Sequence, residues 1–469
     1  MLDTVAIPVW LLVLIGLFAA WAVLDRLLVP SVRWVLRSRV NRVLDEIGGR
    51  LDIEIPPFAL TKRRVLVDRL MYDPEVQRAA EEHARTENMP REVAMAQVER
   101  YAREIVPAFN AYVYFRVGYW LAKRLAQLLY RVRLGYADDA GMAAIDPKST
   151  PVFIMNHRSN MDYVLVTFLA AERTALSYAV GEWARIWPLQ TLIRAMGGFF
   201  VRRNSGNSLY RKVLERYVDM ATRGGVCQAV YPEGGLSRDG RVREPRIGLL
   251  DYMLRGFDPE GERDLVFIPV GINYDRVLED RTLLLKLDPE AERARAVPTT
   301  LKFLAHNFAL MVRRRWHRFG YACVNFGSPI SMRAYARAKG IDFTRLDTQA
   351  RIAEVERLAG TLMEEVKRVI PVLPVSLIAT VFRRNRTMLL TALEIKAGAL
   401  AIMQDLEDAG ARIYIPRENR DYAITVGLRM LKLRHMVAEE EGFLTVNAEN
   451  KLVLDYYANA IEHLLETPA

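Results

Sequence analysis

The stretch Pro151-Val-Phe-Ile-Met-Asn-His-Arg-Ser-Asn-Met-Asp-Tyr163 decides how the rest of the chain is read. Val152 to Met155 is a short apolar run without polar alternation, the pattern of a strand buried on both faces. It stops abruptly at Asn156, His157, Arg158, Ser159, Asn160 and Asp162, and an apolar helical segment follows from Tyr163 to Ala171. Ser159 with Asp162 three residues on fits a capping box, which would start that helix at Ser159. A strand whose carboxyl end opens into a helix is where open α/β sheets hold their ligands.

The residue types in this turn suggest chemistry. His157 is the single histidine between His83 and His306. An imidazole titrates near neutral pH, so His157 is a candidate base toward an alcohol. Such a base needs an acidic partner to fix its tautomer and stabilise the imidazolium. Asp162 lies about 140° from His157 on an ideal helix, so the two meet only with His157 in the turn and Asp162 in the first helical turn. On spacing alone the plainer alternative stays open, in which Asp162 caps the helix and His157 is a turn histidine.

Working outward, short apolar strands alternate with helices from Pro151 to Phe326. The expected strands are Val152–Met155, Ser177–Val180, Gly198–Arg202, Val226–Tyr231, Leu265–Val270 and Tyr321–Phe326; the expected helices include Ser208–Thr222 and Thr300–Arg318. This alternation predicts an α/β fold with a mostly parallel sheet flanked by helices. Upstream, residues 31–140 read as a helical lead-in, ending in an amphipathic segment from Tyr112 to Tyr136 that mixes aromatics with arginines. That mixture suits a membrane interface, or equally a helix packed on the sheet with snorkelling basic side chains. Asp347 to Ile370 reads as a charged helix, and after Pro374 the pattern becomes a helical tail. The expected organisation is an anchor over 1–30, the lead-in over 31–140, an α/β domain over 141–372 and a C-terminal helical domain over 373–469.

Val5 to Leu24 is an uncharged run of 20 residues, long enough to cross a bilayer, with Arg26, Arg33, Arg37, Arg39 and Arg42 behind it. The positive-inside tendency puts those arginines and the body of the chain in the cytoplasm, with a single span in the inner (plasma) membrane. A cleaved signal peptide and a buried core helix are the alternatives; the run lacks a positive leading region and exceeds the usual signal core. The net charge of +10 fits anionic lipid or phosphorylated substrates. No nucleic-acid signature accompanies it. Cys227 and Cys323 show no CxxC spacing and read as buried thiols, so neither a disulfide framework nor a metal site is expected, and no cofactor.

His157-x4-Asp162 resembles the first motif of the glycerolipid acyltransferases, and the string His157-Arg-Ser-x-x-Asp-Tyr163 resembles their glycerol-3-phosphate branch. Gly197-Gly-Phe-Phe-Val-Arg-Arg203, Tyr231-Pro-Glu-Gly-Gly-Leu-Ser-Arg238 and Val266-Phe-Ile-Pro-Val270 are similar to the second, third and fourth blocks, in the expected order. The resemblance implies a membrane-bound enzyme of phospholipid synthesis that moves a fatty acyl group from acyl-CoA or acyl-carrier protein to glycerol 3-phosphate. His157 would be the base and Asp162 its orienting partner. Arg203, Glu233, Gly234 and Arg238, with Arg158 and Ser159 of the first block, would bind the acceptor. Pro269 would shape the acyl-donor side. The tail also resembles the C-terminal region of that branch, which simple lysophosphatidate enzymes lack.

One residue departs from the pattern. Leu236 stands where the glycerol-3-phosphate enzymes commonly have arginine, which leaves lysophosphatidate open as the acceptor. A catalytically silent membrane scaffold is the alternative of another class. A hydrolase is disfavoured, since no Gly-x-Ser-x-Gly elbow is present.

Overall fold

The computed structural model describes residues 56–170, 175–181, 184–185, 187, 189–202, 205–285, 319–386 and 388–466. The expected span over 5–24, the helix over 300–318 and Arg203 lie outside them. Among the described residues no helix is long and apolar enough to cross a membrane.

An eight-stranded sheet organises the fold. Its strands are β1 (Arg131–Ala137), β2 (Thr150–Met155), β3 (Ser177–Gly181), β4 (Phe199–Val201), β5 (Gln228–Val230), β6 (Leu265–Tyr274), β7 (Tyr321–Phe326) and β8 (Ile330–Ser331). They run in the order β1-β7-β6-β2-β5-β3-β4, with β8 beside β6. From β6 to β4 every pairing is parallel, while β7 and β8 meet β6 antiparallel. The mostly parallel α/β reading therefore holds.

β2 sits in the interior of this sheet, with Val152 beside Gln228 of β5 and Phe267 of β6. Its unbroken apolar character has a direct cause. Val152 and Ile154 enter one core and Phe153 and Met155 enter the other, on the opposite face. The first core is closed by the helices between Arg63 and Ile105, by Ser208–Arg223 and by Thr348–Arg368. The second is closed by Met161–Ala170 and by the C-terminal helices Pro374–Arg384, Ala392–Asp408, Arg420–Leu433 and Lys451–Asn459. These C-terminal helices share one core with the sheet. A small antiparallel sheet of β9 (Leu390–Thr391), β10 (Val437–Glu440) and β11 (Phe443–Val446) accompanies them, which helical periodicity did not reveal.

The aromatic and basic segment from Tyr112 departs from a single helix. Val113–Gly118 is a π-helical turn, Tyr119–Leu129 is α-helical, and Arg131 onward is β1. Arg131 to Leu134 lie parallel to Tyr321 to Val324, so sheet pairing overrides the helical pattern there.

Candidate active site

The site forms at the carboxyl ends of the parallel strands. Where β2 ends, the Asn156 side chain continues the ladder to β6: its Nδ2 donates to the Ile272 carbonyl at 2.9 Å, and its Oδ1 accepts from the Ile272 amide at 2.8 Å. The turn that follows is fixed around Asp162, which is fully buried. Its Oδ2 lies 2.9 Å from His157 Nδ1 and accepts from the Arg158 amide at 2.7 Å and the Ser159 amide at 3.1 Å. Its Oδ1 accepts from the Tyr274 hydroxyl at 2.6 Å. Burial holds that phenol well above its usual range, so it remains a donor.

Half of the expected capping box is present. Asp162 reaches back to the Ser159 amide, but Ser159 Oγ accepts from Met161 N and donates to Glu279 Oε2, and the helix begins at Met161. With Nδ1 committed to Asp162, Nε2 is the nitrogen left to take a proton. The imidazole is framed by aromatic rings: Tyr231 stacks on it at 4.1 Å and Tyr163 meets it edge-on at 5.5 Å.

Glu233 follows β5 and ties two loops together. Its Oε1 accepts from the His157 amide at 2.7 Å and its Oε2 from the Arg243 amide at 3.0 Å. The His157 carbonyl in turn accepts from the Ser237 amide at 2.9 Å. Burial pushes the Glu233 carboxyl up to about 7, against these two amides and the Arg158 and Arg243 charges, which pull it down. Each carboxylate oxygen thus accepts a backbone amide, and Glu233, buried and outside the cleft lining, holds the His157 turn in place. Gly234 does line the cleft. Its φ is +65°, and a Cβ there would lie 2.7 Å from Arg246 Cδ.

His157 opens on a cleft of about 360 Å³ lined also by Tyr163, Val180, Arg202, Tyr210, Arg211, Tyr231, Gly234, Gly235 and Arg246. Arg202 is held by Glu104 at 2.8 and 2.6 Å and lies over the Tyr101 and Tyr210 rings. Burial alone would raise the Glu104 carboxyl; the bonds from Arg202 and Arg185 reverse this and hold it below its usual range. Arg211 and Arg246 are exposed cations in the same cleft, and sequence reading missed both because each sits alone, outside any motif.

Behind the cleft lies an apolar cavity of about 180 Å³, lined by Gly118, Leu121, Leu125, Val164, Leu192 and Met196 among others. Tyr163 and Val180 line both spaces, so the cavity abuts the cleft beside His157.

Four expected binding residues fall elsewhere. Arg158 is buried and turns toward the C-terminal helix, with its guanidinium 4.8 Å from the Tyr456 ring. Ser159 is spent on helix capping and on Glu279. Arg238 is exposed and does not line the cleft. Pro269 is buried within β6, where the neighbour of that strand changes from β8 to β7, and the missing amide of proline is tolerated at such a junction. Leu236 packs against the second core and does not line the cleft. Also not singled out as site residues were Asn156, Tyr274 and Glu279, of which Asn156 at the end of the apolar run carried a legible signal.

The sequence matches the Acyltransferase family over residues 139–273 and the glycerol-3-phosphate acyltransferase C-terminal region over residues 307–469. It is 28% identical over 435 residues to a glycerol-3-phosphate acyltransferase of Pseudomonas putida, covering 87% of this chain and 50% of that protein. The namesake of Ectopseudomonas mendocina is 29% identical over 428 residues, with 87% and 50% covered. That of Pseudomonas aeruginosa is 28% identical over 446 residues, with 92% and 52% covered. The chain spans about half the length of these relatives. Among solved structures, the 1-acyl-sn-glycerophosphate (LPA) acyltransferase of Thermotoga maritima aligns with a TM-score of 0.32 and 18% identity, over 54% of this chain and 79% of that one. Two family regions matched in order, with His157 and Asp162 inside the first, make this chain similar to the glycerolipid acyltransferases, and to their glycerol-3-phosphate branch in particular.

Proposed function

We propose that the chain transfers a fatty acyl group from a thioester donor, acyl-CoA or acyl-carrier protein, to the hydroxyl of glycerol 3-phosphate. The observation that carries this reading is a buried His157–Asp162 dyad facing a cleft with arginines on its walls and an apolar cavity behind it. Nε2 of His157 takes the proton of the acceptor hydroxyl as its oxygen attacks the thioester carbonyl. Asp162 stabilises the imidazolium that results. The C–S bond of the tetrahedral intermediate then breaks, and the thiolate leaves with the proton from Nε2. Arg211 and Arg246 are suited to the acceptor phosphate, and Arg203 joins them in the proposal by family resemblance. The apolar cavity is suited to the acyl chain.

Membrane attachment belongs to the same proposal: a single span over 5–24 in the inner membrane, with the catalytic body in the cytoplasm. Support comes from the surface by the apolar cavity. Val117, Trp120, Leu121 and Leu128 are exposed there on a segment that also carries Lys123 and Arg124, and the Arg124 guanidinium lies 5.9 Å from the Trp120 ring.

The test is thiol release from acyl-CoA by the purified chain in detergent, with glycerol 3-phosphate or lysophosphatidate as acceptor. Turnover with glycerol 3-phosphate that is abolished in His157→Ala is expected. Turnover with lysophosphatidate alone overturns the acceptor. Growth rescue of an acyltransferase-deficient strain by His157→Ala as full as by the wild type overturns catalysis and favours a scaffold.

A further inference from the structure

Arg158 immediately follows the candidate base, yet its side chain leaves the cleft. The residue is 3% exposed, and its Nη1 donates to the Gly240 carbonyl. Its Nε and Nη2 are buried and have no hydrogen-bond partner among the described residues. What the guanidinium faces is the ring of Tyr456, at 4.8 Å, and the Tyr456 hydroxyl reaches the Arg158 carbonyl at 3.5 Å. A buried cation with two unmet donors opposes folding, and an apolar side chain of similar length in its place would be neutral or stabilising. Stability therefore does not explain this arginine.

The helix that carries Tyr456, Lys451–Asn459, touches the loops after three adjacent strands. Beyond β2 it meets Arg158. Beyond β5, Asn459 Nδ2 donates to the Asp239 carbonyl at 2.8 Å, and just past the helix Glu462 pairs with Arg241 at 2.7 Å. Gly240 passes so close that a Cβ on it would lie 2.0 Å from the Tyr456 carbonyl oxygen. Beyond β6, the Tyr457 hydroxyl accepts from the Val277 amide at 2.9 Å and bonds Asp280. Those same loops carry His157, Glu233 and the flank of Tyr274.

We propose that Arg158 and Tyr456 form a clamp through which the C-terminal helix sets the geometry of the catalytic turn, with Arg158 acting as a positioning residue on His157 through its own backbone. That backbone amide is one of the donors on Asp162, at 2.7 Å, so moving Arg158 moves the carboxylate that orients the imidazole. The second route is electrostatic. Glu233 faces the His157 and Arg243 amides and the charges of Arg158 and Arg243. Removing the Arg158 charge favours the protonated acid, which cannot accept from both amides with equal strength. The inference rests on the acyl-transfer reading for its kinetic readout, but not for its spectroscopic one.

The test compares Arg158→Met, Arg158→Lys, Tyr456→Leu and the Met/Leu double variant, each in the full chain. Arg158→Met is expected to melt no lower than the wild type, while kcat at pH 7 falls at least tenfold and the acceptor KM stays within twofold. Part of that loss returns as pH is raised to 8.5, because Glu233 ionises again. Arg158→Lys keeps the charge and so keeps the wild-type pH profile, with an intermediate kcat. The double variant loses no more than the larger single loss, the mark of one shared contact. NMR of the His157 Nδ1 proton reads the same clamp without substrate: the hydrogen-bonded signal broadens or shifts in Arg158→Met. Wild-type kcat and an unmoved proton in Arg158→Met overturn the clamp, as do losses that multiply in the double variant. A wild type inactive on every acceptor, with the proton still displaced in Arg158→Met, overturns the acyl-transfer reading and leaves the clamp standing.

Discussion

Tyr274→Phe tests the geometry where the structure commits itself most. The substitution deletes one oxygen. The ring remains, still able to pack at 5.2 Å from the Tyr130 ring, so no apolar cavity opens. What disappears is a 2.6 Å bond to Asp162 Oδ1, between two fully buried groups. The space vacated is smaller than a water needs, so Oδ1 loses its partner without replacement. A hydrogen bond to a charged group contributes about 1.5–3 kcal/mol, and the unfolding free energy should fall by that amount. Catalysis should suffer too. Without its second anchor the carboxylate can turn about its own axis, and His157 loses part of its alignment with the acceptor hydroxyl. A tenfold fall in kcat corresponds to about 1.4 kcal/mol, the size expected of lost alignment with base and substrate intact. The assay is thiol release from acyl-CoA at saturating glycerol 3-phosphate, with urea unfolding on the same preparation. A Phe variant as stable and as active as the wild type would refute the claim that Tyr274 supports the dyad.

Three further outcomes are expected. Glu233 has a folded pKa raised to about 7, above its unfolded value, so its share of stability is present below about 4.5 and is lost as pH rises through about 7. Activity runs the other way, gaining as the carboxylate forms and accepts from both amides, in addition to the deprotonation that His157 itself requires as base; in Glu233→Gln a pH–rate profile should show a lower kcat and lose the part of the rise that Glu233 contributes. Arg211→Ala and Arg246→Ala should each raise the KM for glycerol 3-phosphate by about 10- to 100-fold, the loss of one charge-assisted contact, while kcat changes little; an unchanged KM in both would remove them from the acceptor site. Gly118→Leu fills the apolar cavity, since a Cβ at Gly118 already lies 2.8 Å from Met196 Cε. A competition assay with acyl-CoA mixtures should then show a shift toward shorter chains, and an unaltered preference would place the acyl chain elsewhere.

Local pattern determined a good deal of this protein by itself. Val152 to Met155 reads as a strand buried on both faces because an interior parallel strand has two apolar neighbours and no wet side. Ser208–Arg223 and Thr348–Arg368 were legible because their apolar faces recur at the helical period. The His157–Asp162 pair was legible as a candidate because both residues belong to one short turn; spacing alone left a plain helix cap open, and the resemblance to the acyltransferase motif decided between them. The order of the strands was not written locally. β5, far later in sequence, inserts between β2 and β3, and this brings Glu233 beneath His157.

Roles that depend on where a long side chain goes were legible least of all. Arg158 and Ser159 sit in the catalytic motif, yet one reaches toward the C-terminal helix and the other toward Glu279. Tyr274 stands far from Asp162 in sequence and completes its carboxylate because β6 runs parallel beside β2. Sequence therefore determined which groups are chemically able to act, since that is a property of residue type and short-range spacing. Only the tertiary structure decided which of them share a cleft, because strand order and the packing of distant helices set the direction in which each side chain can be satisfied.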